Sequence, residues 1–204
     1  MKAKQGEPFT EGAKVGRWTR AHPPRLSGAI IIGIMTPEAP CLLVASPSLL
    51  DPNFLHAVVL IVEHDEEGAL GLILNRPLPL ALAQVSEEGG LTYQGSEEAT
   101  AWRGGPVDPQ RGILLVQGGL PEEEDTVVDL SHFVSHRKDL LEALLGDSTA
   151  RYRLFLGYAG WSPGQLDQEL EMGAWTRRPV VSEWLMHPDP MGLWQVALGS
   201  ETSG

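Results

Sequence analysis

Gly160-Trp161-Ser162-Pro163-Gly164 reads G-x-S-x-G, a spacing that between a strand and a helix would expose a serine nucleophile. The residue after the serine argues against that chemistry. In such an elbow its N–H helps hold the oxyanion, and Pro163 has no N–H to offer. The one histidine downstream, His187, stands in proline-rich loop sequence and makes an awkward base. The same residues fit a helix start: Ser162 as N-cap, Pro163 at the first helical position, and Gln165 closing a capping box. On that reading Ser162→Ala costs roughly 0.5–2 kcal/mol, and no catalytic residue is assigned.

Two other groupings could hold a metal. Glu63-His64-Asp65 carries ligand types, but successive strand residues point to opposite faces and rarely chelate one ion. His132 and His136 stand four apart and could share a helix face to bind zinc. Phe133, however, occupies the place of the glutamate in H-E-x-x-H. The glycine pairs at 104–105 and 118–119 lack the Lys-Ser/Thr that completes a phosphate loop. Neither metal nor cofactor is expected.

Charge narrows the partners. The chain has 204 residues and a formal charge of −12, unevenly spread. Residues 1–28 hold six basic side chains against Glu7 and Glu11, which leaves 9 basic and 25 acidic residues in 29–204, a formal −16. Such a surface repels phosphate backbones and anionic membranes alike. Direct DNA binding by the domain is therefore not expected, and a basic N-terminal arm is the only route to nucleic acid. The single cysteine, Cys41, excludes an internal disulfide and suits a reducing cytosol. The apolar run 29–35 is barely long enough for a signal peptide and far short of a membrane span. A cytoplasmic protein is expected.

The elements that would position these residues can be read from periodicity. Residues 1–38 lack it and are expected to form a flexible extension, with Met35 a possible start, ahead of one domain over 39–204. Apolar runs bounded by turn residues predict strands at 41–45, 57–62, 69–74, 112–116 and 152–158, with a last one at 178–181. The second and third flank a polar loop ending in Gly68, a hairpin signal, and Gly71 marks a bulge or close backbone approach. Helices are expected at 80–85, through Phe133, Val134, Leu140, Leu141, Leu144 and Leu145, after Pro163, and at 191–198. Strands and helices alternate without a regular βαβ beat, which predicts an α+β domain.

These segments resemble a known family. Leu43-Val44-Ala45-Ser46-Pro47, Asp51-Pro52-Asn53-Phe54, the stretch from Glu63 to Pro77, Gly104-Gly105-Pro106-Val107 and the stretch from Leu156 to Leu166 are similar, in order, to the motifs of the bacterial YqgE/AlgH family. The resemblance covers about 41–199 and implies a small barrel-like, branched mixed sheet surrounded by helices. It implies no activity; some members are labelled transcriptional regulators, which does not say that they touch DNA. Relatives often carry a small residue where Ser162 stands.

Within the motifs, His64, Asn75, Arg76, Tyr158, Trp161, Gln165 and Glu169 are polar or aromatic without an obvious structural reason. They either lock the hairpin and the glycine turns together, or line one concave ligand or partner surface. Arg76, one of few cations, is expected to meet a carboxylate or read an anionic group. The expected function is a non-catalytic regulatory or binding module acting on a protein or small ligand. Hydrolysis by Ser162 and nucleic-acid binding by the basic arm are the alternatives.

Overall fold

A computed structural model describes residues 39–199; the expected extension 1–38 lies outside them. The chain opens with β1 (Cys41–Ala45), the β2 (Val58–Asp65) and β3 (Gly68–Ile73) hairpin, and β4 (Pro77–Ala81) leading into α1 (Leu82–Glu88). Then come β5 (Thr100–Arg103), β6 (Val107–Gln117), β7 (Thr126–Val127), β8 (His132–Ser135) and α2 (Lys138–Leu145). The last part is β9 (Arg151–Trp161), α3 (Gln165–Glu171), β10 (Trp175–Arg178), α4 (Ser182–Leu185) and α5 (Leu193–Gly199).

Ten strands form one sheet in the order β10-β1-β2-β3-β9-β6-β8-β7, with β5 branching from β9 and β4 pairing with β5. The β5–β9 pair is parallel and the rest antiparallel, so the sheet is mixed and branched as expected. It is neither small nor a barrel. The path ends at β7, which has two residues, and at β10, which stops before Pro179 because proline cannot donate to a ladder. Val128 and Arg177–Arg178 instead line an open cleft of about 600 Å³ between these ends.

The continuous apolar runs of β1 and β2 follow from burial on both faces. Leu42, Val44, Val58, Leu60 and Leu72 enter one core with Phe155, whereas Leu43, Val59, Ile61 and Ile73 enter another with Trp161. Gly71 lies opposite the bulge after Ile61, where a Cβ would sit 2.7 Å from Val59 Cγ1.

Several sequence expectations fail for local reasons. Phe133 and Val134 belong to β8, pair with Val116 and Leu115, and face different cores; their spacing from Leu140 only imitates a helix. Residues 77–81 form a strand ahead of α1, since Pro77 opens it and needs no ladder N–H. The last strand begins three residues early, at Trp175, and α4 was not expected. Strand β9, expected to stop at Tyr158, runs on to Trp161 past a kink at Gly157, whose φ is 72°.

That kink lets two backbones touch. A Cβ on Gly105 would lie 2.1 Å from the Tyr158 carbonyl carbon, so no side chain fits there. Gly105→Ala is expected to destabilise the chain by about 3 kcal/mol or more, as an overpacked contact that only backbone movement relieves. Urea unfolding midpoints check this; a loss below about 1 kcal/mol contradicts it.

Candidate functional site

Helix α3 follows β9 through a tight turn in which Gln165 N–H donates to Ser162 O at 3.0 Å and Gly164 adopts φ 70°. Half of the expected capping box forms: Gln165 Oε1 accepts the Ser162 N–H at 3.0 Å. The other half does not. The helix starts at Gln165, later than expected, and no side chain caps it, so the exposed Ser162 hydroxyl is not a cap.

Four expected site residues converge on this helix. Glu169 Oε2 accepts the indole N–H groups of Trp161 at 2.9 Å and Trp175 at 2.8 Å, while its Oε1 accepts Gln165 Nε2 at 2.9 Å. Phe54 stacks on Trp161 at 5.9 Å and meets Trp175 edge-on at 5.5 Å. His64, its side chain buried, places Nε2 3.7 Å from Asp167 Oδ1. Trp175 and Asp167 were not anticipated, because only the chain path brings β10 and the helix face together.

Asn75 and Arg76 act elsewhere, on the loop joining β1 to β2. Asn75, only 2% exposed, accepts the Val58 N–H through Oδ1 at 3.1 Å and donates from Nδ2 to His56 O at 2.9 Å. Arg76 donates to Asn75 O at 3.1 Å and to Leu55 O. His56 has φ 55°, a strained value for a non-glycine residue, and its ring stacks on Trp194 at 4.0 Å. Phe54 of the same loop reaches the indole pair, so the 51–57 loop links the two groups.

Tyr158 is the outlier. It packs against the core holding Phe155, with the Arg111 guanidinium 5.8 Å from its ring centroid, whereas Trp161 enters the opposite core. One concave surface carrying both rings is therefore not formed.

The histidine pair is not helical: His132 lies in β8 and His136 just beyond it. His132 Nδ1 bonds Asp129 Oδ1 at 2.9 Å, and Ser182 Oγ donates to Asp129 Oδ2 at 2.6 Å. The residue types are those of a triad, but Ser182 serves the carboxylate, and the hydroxyl beside the imidazole is that of Ser131, 3.2 Å from the same Nδ1 that meets Asp129. Burial alone would raise the Asp129 pKa; hydrogen bonds from Ser182, the Ser131 backbone and His132 outweigh it and hold the carboxyl far below its usual range. Among the described residues, no three of His, Cys, Asp or Glu gather as a metal group, and no helix is long and apolar enough to cross a membrane.

Fold and site thus define a single α+β domain with a large open sheet, whose distinctive motifs converge on α3 and the 51–57 loop. A family profile described as AlgH-like matches residues 42–202, and the chain belongs to that family. A UPF0301 protein of Myxococcus xanthus is 40% identical over 161 residues, covering 78% of this chain and 88% of its own. A UPF0301 protein of Streptomyces coelicolor is 40% identical over 163 residues, covering 77% and 83%. The solution structure of the AlgH protein from Pseudomonas aeruginosa superposes with TM-score 0.66 at 30% identity, covering 83% of this chain and 99% of that one.

Glu169→Ala strands two indole N–H groups on largely buried tryptophans and is expected to cost roughly 2–4 kcal/mol. Ser162→Ala, lacking a cap to lose, should stay within about 0.5 kcal/mol of wild type. Equal losses for the two variants in urea unfolding contradict this assignment. Asp129 adds a pH dependence. Its folded pKa is depressed, so its stabilisation is present above the unfolded value of about 4 and fades as pH falls below it. Asp129→Asn should weaken the protein at neutral pH and flatten the acid limb of stability against pH; an unchanged limb contradicts it.

Proposed function

We propose that the chain is a non-catalytic binding module, regulatory in role and cytoplasmic, that works through the surface of the 51–57 loop. One observation carries the reading: the motif side chains capable of chemistry are engaged in holding that loop and its neighbours. Glu169 accepts three donors, Asn75 meets two backbone groups, and Arg76 holds two carbonyls. The loop so fixed presents Leu55 outward, with Leu50, 77% exposed, just before it. A rigid scaffold offering apolar side chains on a loop is how recognition sites are commonly built. The cytoplasm suits Cys41, a free thiol.

Neither alternative gains support. Among the described residues no hydrogen bond joins the Ser162 hydroxyl to a base, and the basic arm lies outside them.

Affinity capture from the native organism's cytosol, with wild type and the Leu50→Glu/Leu55→Glu double variant as baits, tests the proposal. A partner is expected that wild type retains and the double variant loses at unchanged thermal stability. Identical capture by both baits contradicts the loop surface. Labelling of Ser162 by a fluorophosphonate probe in the folded protein contradicts the non-catalytic role.

A further inference from the structure

Arg76 was expected to meet a carboxylate or read an anion. Among the described residues no carboxylate lies within ion-pair distance of it, and what faces it is another arginine. Pro77 is registered against Trp102 in the antiparallel β4–β5 pair, which sets Arg76 directly across from Arg103. The Arg103 N–H donates to Arg76 O at 2.8 Å, the bond of such a cross-strand couple. Directly opposed residues share one face with Cβ atoms about 4.5–5.5 Å apart, and like charges placed so are destabilising. Arg103 is exposed and likewise has no ion-pair partner among the described residues.

The pairing is odd for this chain. Residues 39–199 hold nine basic side chains, set against 25 acidic ones in 29–204, and two of the nine are opposed with no acid between them. Burial first, and the neighbouring Arg103 charge second, lower the pKa of Arg76, as expected where a counter-charge is missing. Arg76 is also oriented. Two of its donors are fixed on Leu55 O and Asn75 O, and the rest of its five N–H groups remain for a ligand.

We propose that Arg76 and Arg103 form a two-arginine clamp for a small oxyanion, a phosphate or carboxylate group carried by a small molecule. This rests on the reading of the 51–57 loop as the working surface, since Arg76 flanks it, and it names a ligand class for that surface. Guanidinium forks match two-oxygen anions, and a bridging anion turns the like-charge repulsion into attraction. The net −16 of residues 29–204 selects a compact anion over nucleic acid. Screening over about 8 Å lets the local cationic pair dominate at short range, while an extended polyanion meets the whole acidic surface.

Thermal unfolding of the full chain in sodium phosphate, sodium acetate and sodium chloride at matched ionic strength tests the clamp. Phosphate or acetate should raise Tm saturably above chloride, by about 2–6 °C at tenfold excess over Kd. The stronger of the two distinguishes a phosphate from a carboxylate source. Arg103→Gln should weaken the apparent affinity at least tenfold while being no less stable than wild type in chloride, because it removes the repulsion. Arg103→Lys should restore part of the response, and Arg151→Gln, a distant exposed arginine, should leave it intact. No saturable rise in either anion overturns the clamp, and so does an equal rise in Arg103→Gln, which marks a general salt effect. Failure here is separable from failure of the loop reading: Leu50→Glu/Leu55→Glu should keep the anion response, and Arg103→Gln should keep partner capture.

Discussion

The Asn75 side-chain amide is the contact on which the rest of the motif geometry hangs. The chain leaves β1 at Ala45 and returns into β2 at Val58, and the backbone just before that return has buried polar groups that no strand neighbour satisfies. Asn75 supplies an acceptor for the Val58 N–H and a donor for the His56 carbonyl from one planar group. Neither aspartate nor leucine offers both, and an unpaired buried amide costs about as much as a lost hydrogen bond. With the loop fixed, Phe54 is delivered to Trp161 and Trp175, and those indoles in turn need the Glu169 carboxylate. Contacts over a hundred residues apart thus become one connected arrangement.

Strand β9 makes that arrangement possible. It pairs with β6, with β5 at Phe155 and Leu156, and with β3 at Ala159–Trp161, so both halves of the sheet meet along it. Gly157 bends it where Gly104 and Gly105 press against its backbone. The buried Arg153 adds a polar tie, donating to Leu74, Leu185 and His187 carbonyls and lying 3.8 Å from the Trp102 ring centroid. Branching at β9 also explains the open sheet: strands are added beside its centre, and both outer edges end early.

Local signals carried much of this. The 58–73 hairpin, the tightness at Gly71 and the strand through Tyr158 are visible because short apolar runs end at charged or glycine-containing turns. What periodicity could not convey is pairing. Phe133 and Val134 are strand residues only because β6 lies beside them. Trp175 is part of the indole pair only because β10 docks on β1, and Arg103 matters only because its partner across the ladder is Arg76. Gly157 and Gly160 suggested that the strand ends there, yet Gly157 serves close contact between strands. Tyr158 and Trp161, three apart on one strand, face opposite cores, a separation that shows only once 157–161 is known to be strand. The motif residues were therefore recognisable as a set, while their division between a loop anchor, a helix anchor and a core position required the fold.

Native-state amide hydrogen exchange tests most directly whether the 51–57 loop is held as one unit with the sheet. The amides of Phe54, Leu55, Ala57 and Val58, each hydrogen-bonded within the loop or to Asn75, should exchange only through the same global opening as Leu60 and Leu72. In Asn75→Ser the amides of Phe54, Leu55, Ala57 and Val58 should lose that protection together while those of Leu60 and Leu72, deeper in β2 and β3, keep theirs. Fast exchange of the wild-type loop beneath a protected sheet would contradict the lock, and with it the surface proposed to rest on it.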